Sequence, residues 1–162
     1  MIIKSKQKII TFLMFNNQAE EAINLYTSVF KNSKIVSVTR APKGGQLPEG
    51  TFISGTFEID GQLFYTYNGG PYFSFAEGMS LFVNCETQEE VDELWSKLSA
   101  GGEEQQCGWI KDKFGVSWQI IPTILMELIQ DKDPEKAGRT IKAMLQMKKI
   151  DIKKLQQAYA QE

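Results

Sequence analysis

Cys107–Pro122 reads C-G-W-I-K-D-K-F-G-V-S-W-Q-I-I-P, and no other stretch says as much about the fold. Two short strand patterns, Trp109–Asp112 and Val116–Ile121, flank the turn Lys113–Gly115. The final proline ends the last strand, where its missing N–H removes no hydrogen bond from the interior of the sheet. This stretch closes the second of two similarly ordered halves. A β-α-β-β-β order used twice predicts an α+β protein built from two related modules.

The first module is predicted over residues 8–70. An apolar run at 8–15 indicates a buried strand, and Asn17, three residues before Glu20, indicates a locally capped helix start. The pair Asp60-Gly61 indicates a two-residue hairpin, because a type I′ turn needs positive φ at both central residues. Three segments have the composition and alternation of strands: 34–40, 51–60 and 62–68.

The second module is predicted over residues 78–122 and repeats that order. A strand pattern at 79–85 precedes Thr87–Glu90, which has the form of a helix capping box. Gly101-Gly102 ends the helix. Residues 123–162 then show three helical patterns, so we divide the chain into paired modules at 1–122 and a helical C-terminal extension.

The composition limits the classes of function. A net charge of −2 over 162 residues gives no electrostatic reason to expect a nucleic-acid partner, whose recognition needs a basic face. No apolar run approaches the ~18 residues of a membrane span, and residues 1–8 lack the apolar core of a secretory signal. Cys85 and Cys107 do not have the spacing of a disulfide framework. We therefore expect a cytoplasmic protein with reduced thiols and no membrane partner.

Four segments resemble the vicinal oxygen chelate superfamily, also called the glyoxalase/bleomycin-resistance fold. They are Phe15–Ala22, Phe57–Gln62, Asn68–Pro71 and, most closely, Cys107–Pro122. Within the superfamily the chain resembles the PhnB-like group, also labelled demethylubiquinone methyltransferase-like. With Ala143–Met147 of the extension, the resemblance spans residues 8–158. It implies paired half-barrels, one from each module, that together enclose a concave pocket.

The resemblance also implies where a metal would lie. Metal-dependent members carry His or Glu on the first and fourth strand of each module. The matching positions here are Thr11, Phe64, Ser80 and Gln119. None of them is a carboxylate or an imidazole, and the chain contains no histidine. Because transition metals prefer imidazole, thiolate and carboxylate ligands, we predict no metal and no cofactor.

Strand alternation assigns side chains to the implied pocket. On the fourth predicted strand Phe64, Thr66 and Asn68 share a face, which we assign to the pocket. On the last strand we assign Ser117 and Gln119 to the pocket. The predicted ligand-contacting side chains are aromatic or uncharged hydrogen-bonding groups: Thr11, Phe64, Thr66, Asn68, Tyr72, Ser80, Phe82, Trp109, Ser117 and Gln119. The alternative is that they only fill the interior of a small barrel.

Other chemistry has less support in the residues. A methyltransferase normally holds its cofactor at a glycine-rich turn between a strand and a helix, and no glycine pair here has that setting. Cys107 has no histidine to activate it as a nucleophile. The carboxylates of Glu58, Asp60 and Asp112 lie at predicted strand ends or turns and are expected to face solvent.

These observations favour a metal-independent protein that binds a small organic molecule. Two alternatives stay open: an enzyme of the same superfamily with an atypical metal site, and an interaction protein without a ligand. Whether any reaction is catalysed is also open. We further expect a homodimer, because superfamily members commonly pair and the extension has spare apolar residues at Ile141, Met144 and Leu145.

Overall fold

The computed structural model describes residues 7–161, and the chain divides after Ser74 into two compact units. Each unit contains a four-stranded sheet. One helix follows the first strand of that sheet, which gives the order β-α-β-β-β along the chain. The predicted α+β class and the helical C-terminal extension are confirmed. Within 7–161, no helix is both long enough and apolar enough to cross a bilayer.

The first unit has the predicted order of elements. They are β1 (Thr11–Phe15), α1 (Ala19–Val29), β2 (Ser33–Arg40), β3 (Phe52–Ile59) and β4 (Gln62–Asn68). The sheet order is β1-β4-β3-β2, in which β1 and β4 are parallel and the other pairs antiparallel. Asp60 and Gly61 have φ angles of 48° and 78°, so the β3–β4 hairpin has the predicted left-handed turn.

Helix α1 covers one face of the first sheet. Ile23 and Tyr26 of α1 are buried, and the rings of Tyr26 and Phe57 lie 5.9 Å apart. A Cβ added at Gly55 would lie 2.6 Å from Cδ1 of Ile23, so the glycine allows the helix to approach β3 closely. Burying one apolar side chain of this size contributes about 1.5–3 kcal/mol to the free energy of folding. The buried face under α1 is therefore the core of the unit.

The start of α1 is capped by a distant residue. The helix begins at Ala19, and its N-cap residue, Gln18, makes no capping bond with its side chain. Instead, Oδ1 of Asn68 accepts the Ala19 N–H at 2.9 Å. The local cap predicted from Asn17 was wrong, because the pairing of Phe15 with Asn68 brings the end of β4 beside the helix start.

The second unit contains a sheet, its helix and the extension. The first elements are β5 (Leu81–Cys85), α2 (Gln88–Ser99), β6 (Glu103–Glu104), β7 (Trp109–Lys111) and β8 (Ser117–Pro122). The sheet order is β5-β8-β7-β6. Thr87 accepts the Glu90 N–H at 3.2 Å, which confirms the predicted cap. Helix α2 packs on β7 and β8, where Ile110, Trp118 and Ile120 are buried.

The extension forms part of the second unit's core. Its helices are α3 (Thr123–Ile129), α4 (Pro134–Met144) and α5 (Ile152–Ala160). An apolar cluster joins β8 to this extension through Ile121, Leu125, Ile150 and Leu155. Gln88 ties the extension to α2, since its side chain donates to the Ile150 carbonyl (3.1 Å) and accepts the Ile152 N–H (2.8 Å).

The turn at Cys107 and Gly108 attaches the extension to β7. Both residues have positive φ, 59° and 81°. Their N–H groups donate to the carbonyls of Met147 and Lys148, each at 2.8 Å. A Cβ at Gly108 would lie 2.6 Å from Cδ1 of Ile121, so position 108 needs glycine for space as well as for conformation.

Candidate functional site

The second sheet carries a row of three neighbouring side chains on the face turned away from α2. Phe82 of β5 pairs with Gln119 of β8, and Gln119 pairs with Trp109 of β7. Trp118 and Ile120 occupy the α2 side of β8 and are buried there. Because side chains alternate along a strand, the row Phe82–Gln119–Trp109 faces the other way. An amide therefore lies between two aromatic side chains.

Ser80, directly before β5, is hydrogen-bonded to the central amide. Nε2 of Gln119 donates to Oγ of Ser80 at 2.9 Å. Ser117 lies two residues before Gln119 and shares its face. We call Ser80, Phe82, Trp109, Ser117 and Gln119 the glutamine face. The structure thus brings together five of the ten side chains predicted to contact a ligand. Phe82 is 47% exposed, so the face is partly open.

Lys111 borders the glutamine face, but its ammonium group already forms ion pairs with carboxylates. It pairs with Ser117 in the β7–β8 register. Its Nζ lies 2.6 Å from Oε1 of Glu77 and 3.7 Å from Oε2 of Glu103. The hydrogen bond to Glu77 raises the pKa of Lys111, and the same bond lowers the pKa of Glu77. This ammonium is therefore neutralised by its own unit.

The structure corrects the orientation predicted for β4. Phe64 stacks on Phe57 with ring centroids 4.9 Å apart, and Thr66 donates to the Gly55 carbonyl at 3.2 Å. Phe57 and Gly55 both lie beneath α1. With Asn68 capping that helix, all three residues assigned to a pocket lie on the α1 side. They form core packing and a helix cap, so they do not belong to an open face.

The opposite face of the first sheet carries residues that the sequence argument missed. Phe12 and Met14 of β1 pair with Tyr65 and Tyr67 of β4. Phe12 is 53% exposed and Tyr67 is 39% exposed. We call these four residues the tyrosine face. The sequence did contain a signal for the tyrosine face. The two-residue Asp60-Gly61 turn pairs Phe57 with Phe64, and paired side chains lie on the same side of a sheet, so Phe64 lies on the core side with Phe57.

Thr11 and Tyr72 join neither open face. Thr11 begins β1 on the side of Leu13 and Phe15, which are buried towards α1. Tyr72 follows β4 in a loop and is 89% exposed. The start of that loop is fixed by the Gly70 N–H, which donates to the carbonyl of Asn16 at 3.0 Å.

The side chains at the implied metal positions do not fit a transition metal. Phe64 has no donor atom and is stacked in the core. Ser80 and Gln119 offer a neutral hydroxyl and a neutral amide that already bond to each other. Among the described residues, no three His, Cys, Asp or Glu side chains are grouped so that they could hold a metal ion. Neutral oxygen donors of this kind are poor ligands for zinc, iron or nickel.

Two other polar groups of the second unit are structural. Asp112 was predicted to face solvent, but it is only 3% exposed, and its carboxylate accepts N–H groups of its own turn. Cys85 is fully buried in β5. Burial raises the pKa of the Cys85 thiol to about 12, which keeps it protonated and unreactive.

Comparison with known proteins agrees with this architecture. A family model described as 3-demethylubiquinone-9 3-methyltransferase matches residues 7–121. A PhnB protein from Bacillus cereus, whose description carries the same methyltransferase name, is 43% identical; the match covers 72% of this chain and 100% of that chain, with a TM-score of 0.67. No curated protein matches the chain.

Two more distant solved structures share the fold. Protein PA1353 from Pseudomonas aeruginosa is 19% identical over 72% of this chain and 98% of its own, with a TM-score of 0.61. The fosfomycin resistance protein FosX from Listeria monocytogenes is 16% identical over 78% and 98%, with a TM-score of 0.54. With the family match over 7–121, these results confirm the resemblance drawn from the sequence. The chain belongs to the family described as 3-demethylubiquinone-9 3-methyltransferase, the PhnB-like group of the glyoxalase/bleomycin-resistance fold.

Proposed function

We propose that the protein binds a small organic molecule at the glutamine face and does so without a transition metal. The observation that carries this proposal is the Gln119 amide, which is hydrogen-bonded to Ser80 and lies between Phe82 and Trp109. Organic-ligand sites typically combine apolar and aromatic surface with a few fixed polar groups. The glutamine face has this composition within a single unit.

The chemistry of the donors supports binding without a metal. A divalent transition metal needs several anionic or imidazole donors that converge on one point. Ser80 and Gln119 supply neither, and Phe64 supplies no donor at all. The same neutral groups are suited to hydrogen bonds with an uncharged ligand.

Binding is a better-supported activity than methyl transfer. The family description names a methyltransferase, but the glycine pairs of this chain do not provide a cofactor turn between a strand and a helix. Gly44-Gly45 lies between β2 and β3, Gly69-Gly70 follows β4, and Gly101-Gly102 lies between α2 and β6. The residues present do not fit a nucleotide-type methyl donor held in that way, so we derive no methyl-transfer step.

Ligand-observed NMR on tag-free protein dialysed against EDTA tests the proposal. A library of neutral aromatic fragments should contain several that bind, and binding should weaken in Gln119→Ala. Gln106→Ala is the matched control, because Gln106 is exposed in the same unit. The proposal fails if no fragment binds, if binding needs added metal, or if the two variants behave alike.

A further inference from the structure

We infer that the ligand of the glutamine face is a neutral, planar ring that carries a carbonyl next to an N–H or O–H group. A primary amide, a lactam and a hydroxyketone all belong to this class. The inference rests on the proposed function, because it specifies what that face would bind. It follows from hydrogen-bond direction, from charge and from the two flanking aromatic residues.

The hydrogen bond between Gln119 and Ser80 leaves two donors and one acceptor of this pair unused. A glutamine side chain has two N–H donors and one acceptor oxygen, and a serine hydroxyl has one donor. Nε2 gives one hydrogen to Oγ of Ser80. Within the described part of the chain, Oε1 and the second Nε2 hydrogen of Gln119 and the hydroxyl hydrogen of Ser80 make no other bond. A ligand that satisfies Oε1 and one of these donors must donate and accept at neighbouring atoms.

Charge disfavours an anionic ligand. The five residues of the glutamine face have no ionised side chain. The neighbouring cation, Lys111, is held by Glu77 at 2.6 Å and by Glu103 at 3.7 Å. A carboxylate could accept from the unused donors of Gln119 and Ser80, but it has no hydrogen to give Oε1 of Gln119, which would stay unsatisfied. It would also lose hydration without gaining a free positive charge in return.

The flanking side chains favour a planar ring. Phe82 and Trp109 occupy the strands on either side of Gln119 and pair with it in register. Directly paired residues have Cβ atoms roughly 5 Å apart, which keeps both aromatic groups within reach of one ligand. Aromatic pairs gain stability from offset or edge-to-face packing. The polar edge of the ring can then meet Gln119 while its body contacts the aromatic side chains.

Three probes of nearly equal shape test the inference. Benzamide has a carbonyl and an N–H group, acetophenone replaces the amino group by methyl, and benzoate replaces it by a charged oxygen. Each is titrated into isotope-labelled protein while the Gln119 side-chain amide and the Trp109 indole signals are followed by NMR. One additional neutral hydrogen bond should make benzamide bind roughly fivefold tighter than acetophenone. Benzoate should bind more weakly than either.

Variants separate the roles of the two residues. Gln119→Ala should bind benzamide and acetophenone equally, because it removes the acceptor of the extra hydrogen bond. Ser80→Ala should weaken both probes and keep the preference, since both carry the carbonyl, whereas Gln106→Ala should keep the wild-type affinities and preference. Equal binding of the two neutral probes to wild-type protein would overturn the inference and leave the proposed function standing. Tighter binding of benzoate, or a preference that survives in Gln119→Ala, would also overturn it. If no probe moves either signal, the proposed function fails together with the inference.

Discussion

The indole N–H of Trp118 donates to Oδ2 of Asp112 at 2.9 Å, and both side chains are buried. The other carboxylate oxygen accepts the N–H groups of Phe114 at 2.9 Å and Val116 at 3.0 Å. One carboxylate therefore closes the β7–β8 turn and fixes the indole of β8. The strand that carries Gln119 is held in place by this bond.

Asp112→Ala should lower the free energy of unfolding by roughly 3 kcal/mol, because it leaves buried donors without an acceptor. Asp112→Asn should lose less, since its amide oxygen can still accept from the turn. Urea denaturation measures both. A loss below about 0.5 kcal/mol for the alanine variant, the range of ordinary surface substitutions, would contradict this structural role.

Two glycine-to-alanine changes should act in opposite directions. Gly138 lies inside α4 with open space around it, so Gly138→Ala should raise the free energy of unfolding by about 0.5–1 kcal/mol. A Cβ at Gly102 would overlap the backbone of Lys111 and Asp112, so Gly102→Ala should be destabilising. Thermal unfolding of the pair checks the prediction, and the same sign for both would refute it.

The buried thiol of Cys85 should make stability depend on pH. Its folded-state pKa is about 12, chiefly through burial, whereas its ordinary value is 9.0. The unfolded thiol therefore loses its proton first, and stability is lost as pH rises from about 9 towards 12. Below that window the contribution is complete. Unfolding free energies measured at about pH 8 and pH 10 should fall more for wild-type protein than for Cys85→Ala. Equal falls would show that Cys85 is not the cause.

We expect tag-free protein to contain no stoichiometric transition metal. Gln119→Glu should not create a tight site, because a single added carboxylate is too few ligands for zinc or manganese. Elemental analysis of both proteins after dialysis with each metal provides the measurement. About one metal ion retained per chain, with loss of ligand binding on chelation, would disprove the prediction.

The homodimer expected from the sequence stays a prediction, for which the structure suggests a specific test. Ile141 and Leu145 lie one helical turn apart and are 39% and 55% exposed. If this stripe joins two copies, light scattering should give the dimer mass for wild-type protein and the monomer mass for Ile141→Glu combined with Leu145→Glu. A monomer mass for the wild-type chain across micromolar concentrations would reject the dimer.

Local patterns predicted the order of elements well, because hairpin turns and helix caps are short-range signals. The Asp60-Gly61 turn and the Thr87 cap both form as expected. The start of α1 was predicted, but its capping residue was not, because Asn68 lies 49 residues away in sequence. No local rule finds a partner at that distance. Only the parallel pairing of β1 with β4 brings the two together.

The candidate site was predictable in the second unit and not in the first. On β8, large apolar side chains alternate with Ser117 and Gln119, so the pattern separates the two faces. On β4, both faces carry aromatic residues, for example Phe64 and Tyr65, so alternation alone does not separate them. What decides is the core partner, Phe57, together with the close approach of α1 at Gly55.

The attachment of the extension at Cys107 and Gly108 constrains the sequence of the turn more than the sequence of the segment it holds. The family match ends at residue 121, and the extension begins immediately beyond it. Two of its bonds to the turn join main-chain groups, from the N–H groups of Cys107 and Gly108 to the carbonyls of Met147 and Lys148, and the Cys107 thiol lies 3.8 Å from the Met144 carbonyl. The acceptors of these bonds are backbone carbonyls, so the bonds themselves tolerate substitution in the extension, whereas the cluster with Ile121 still needs apolar side chains at Leu125, Ile150 and Leu155. The turn is the less tolerant partner, because position 108 accepts only a residue without a side chain.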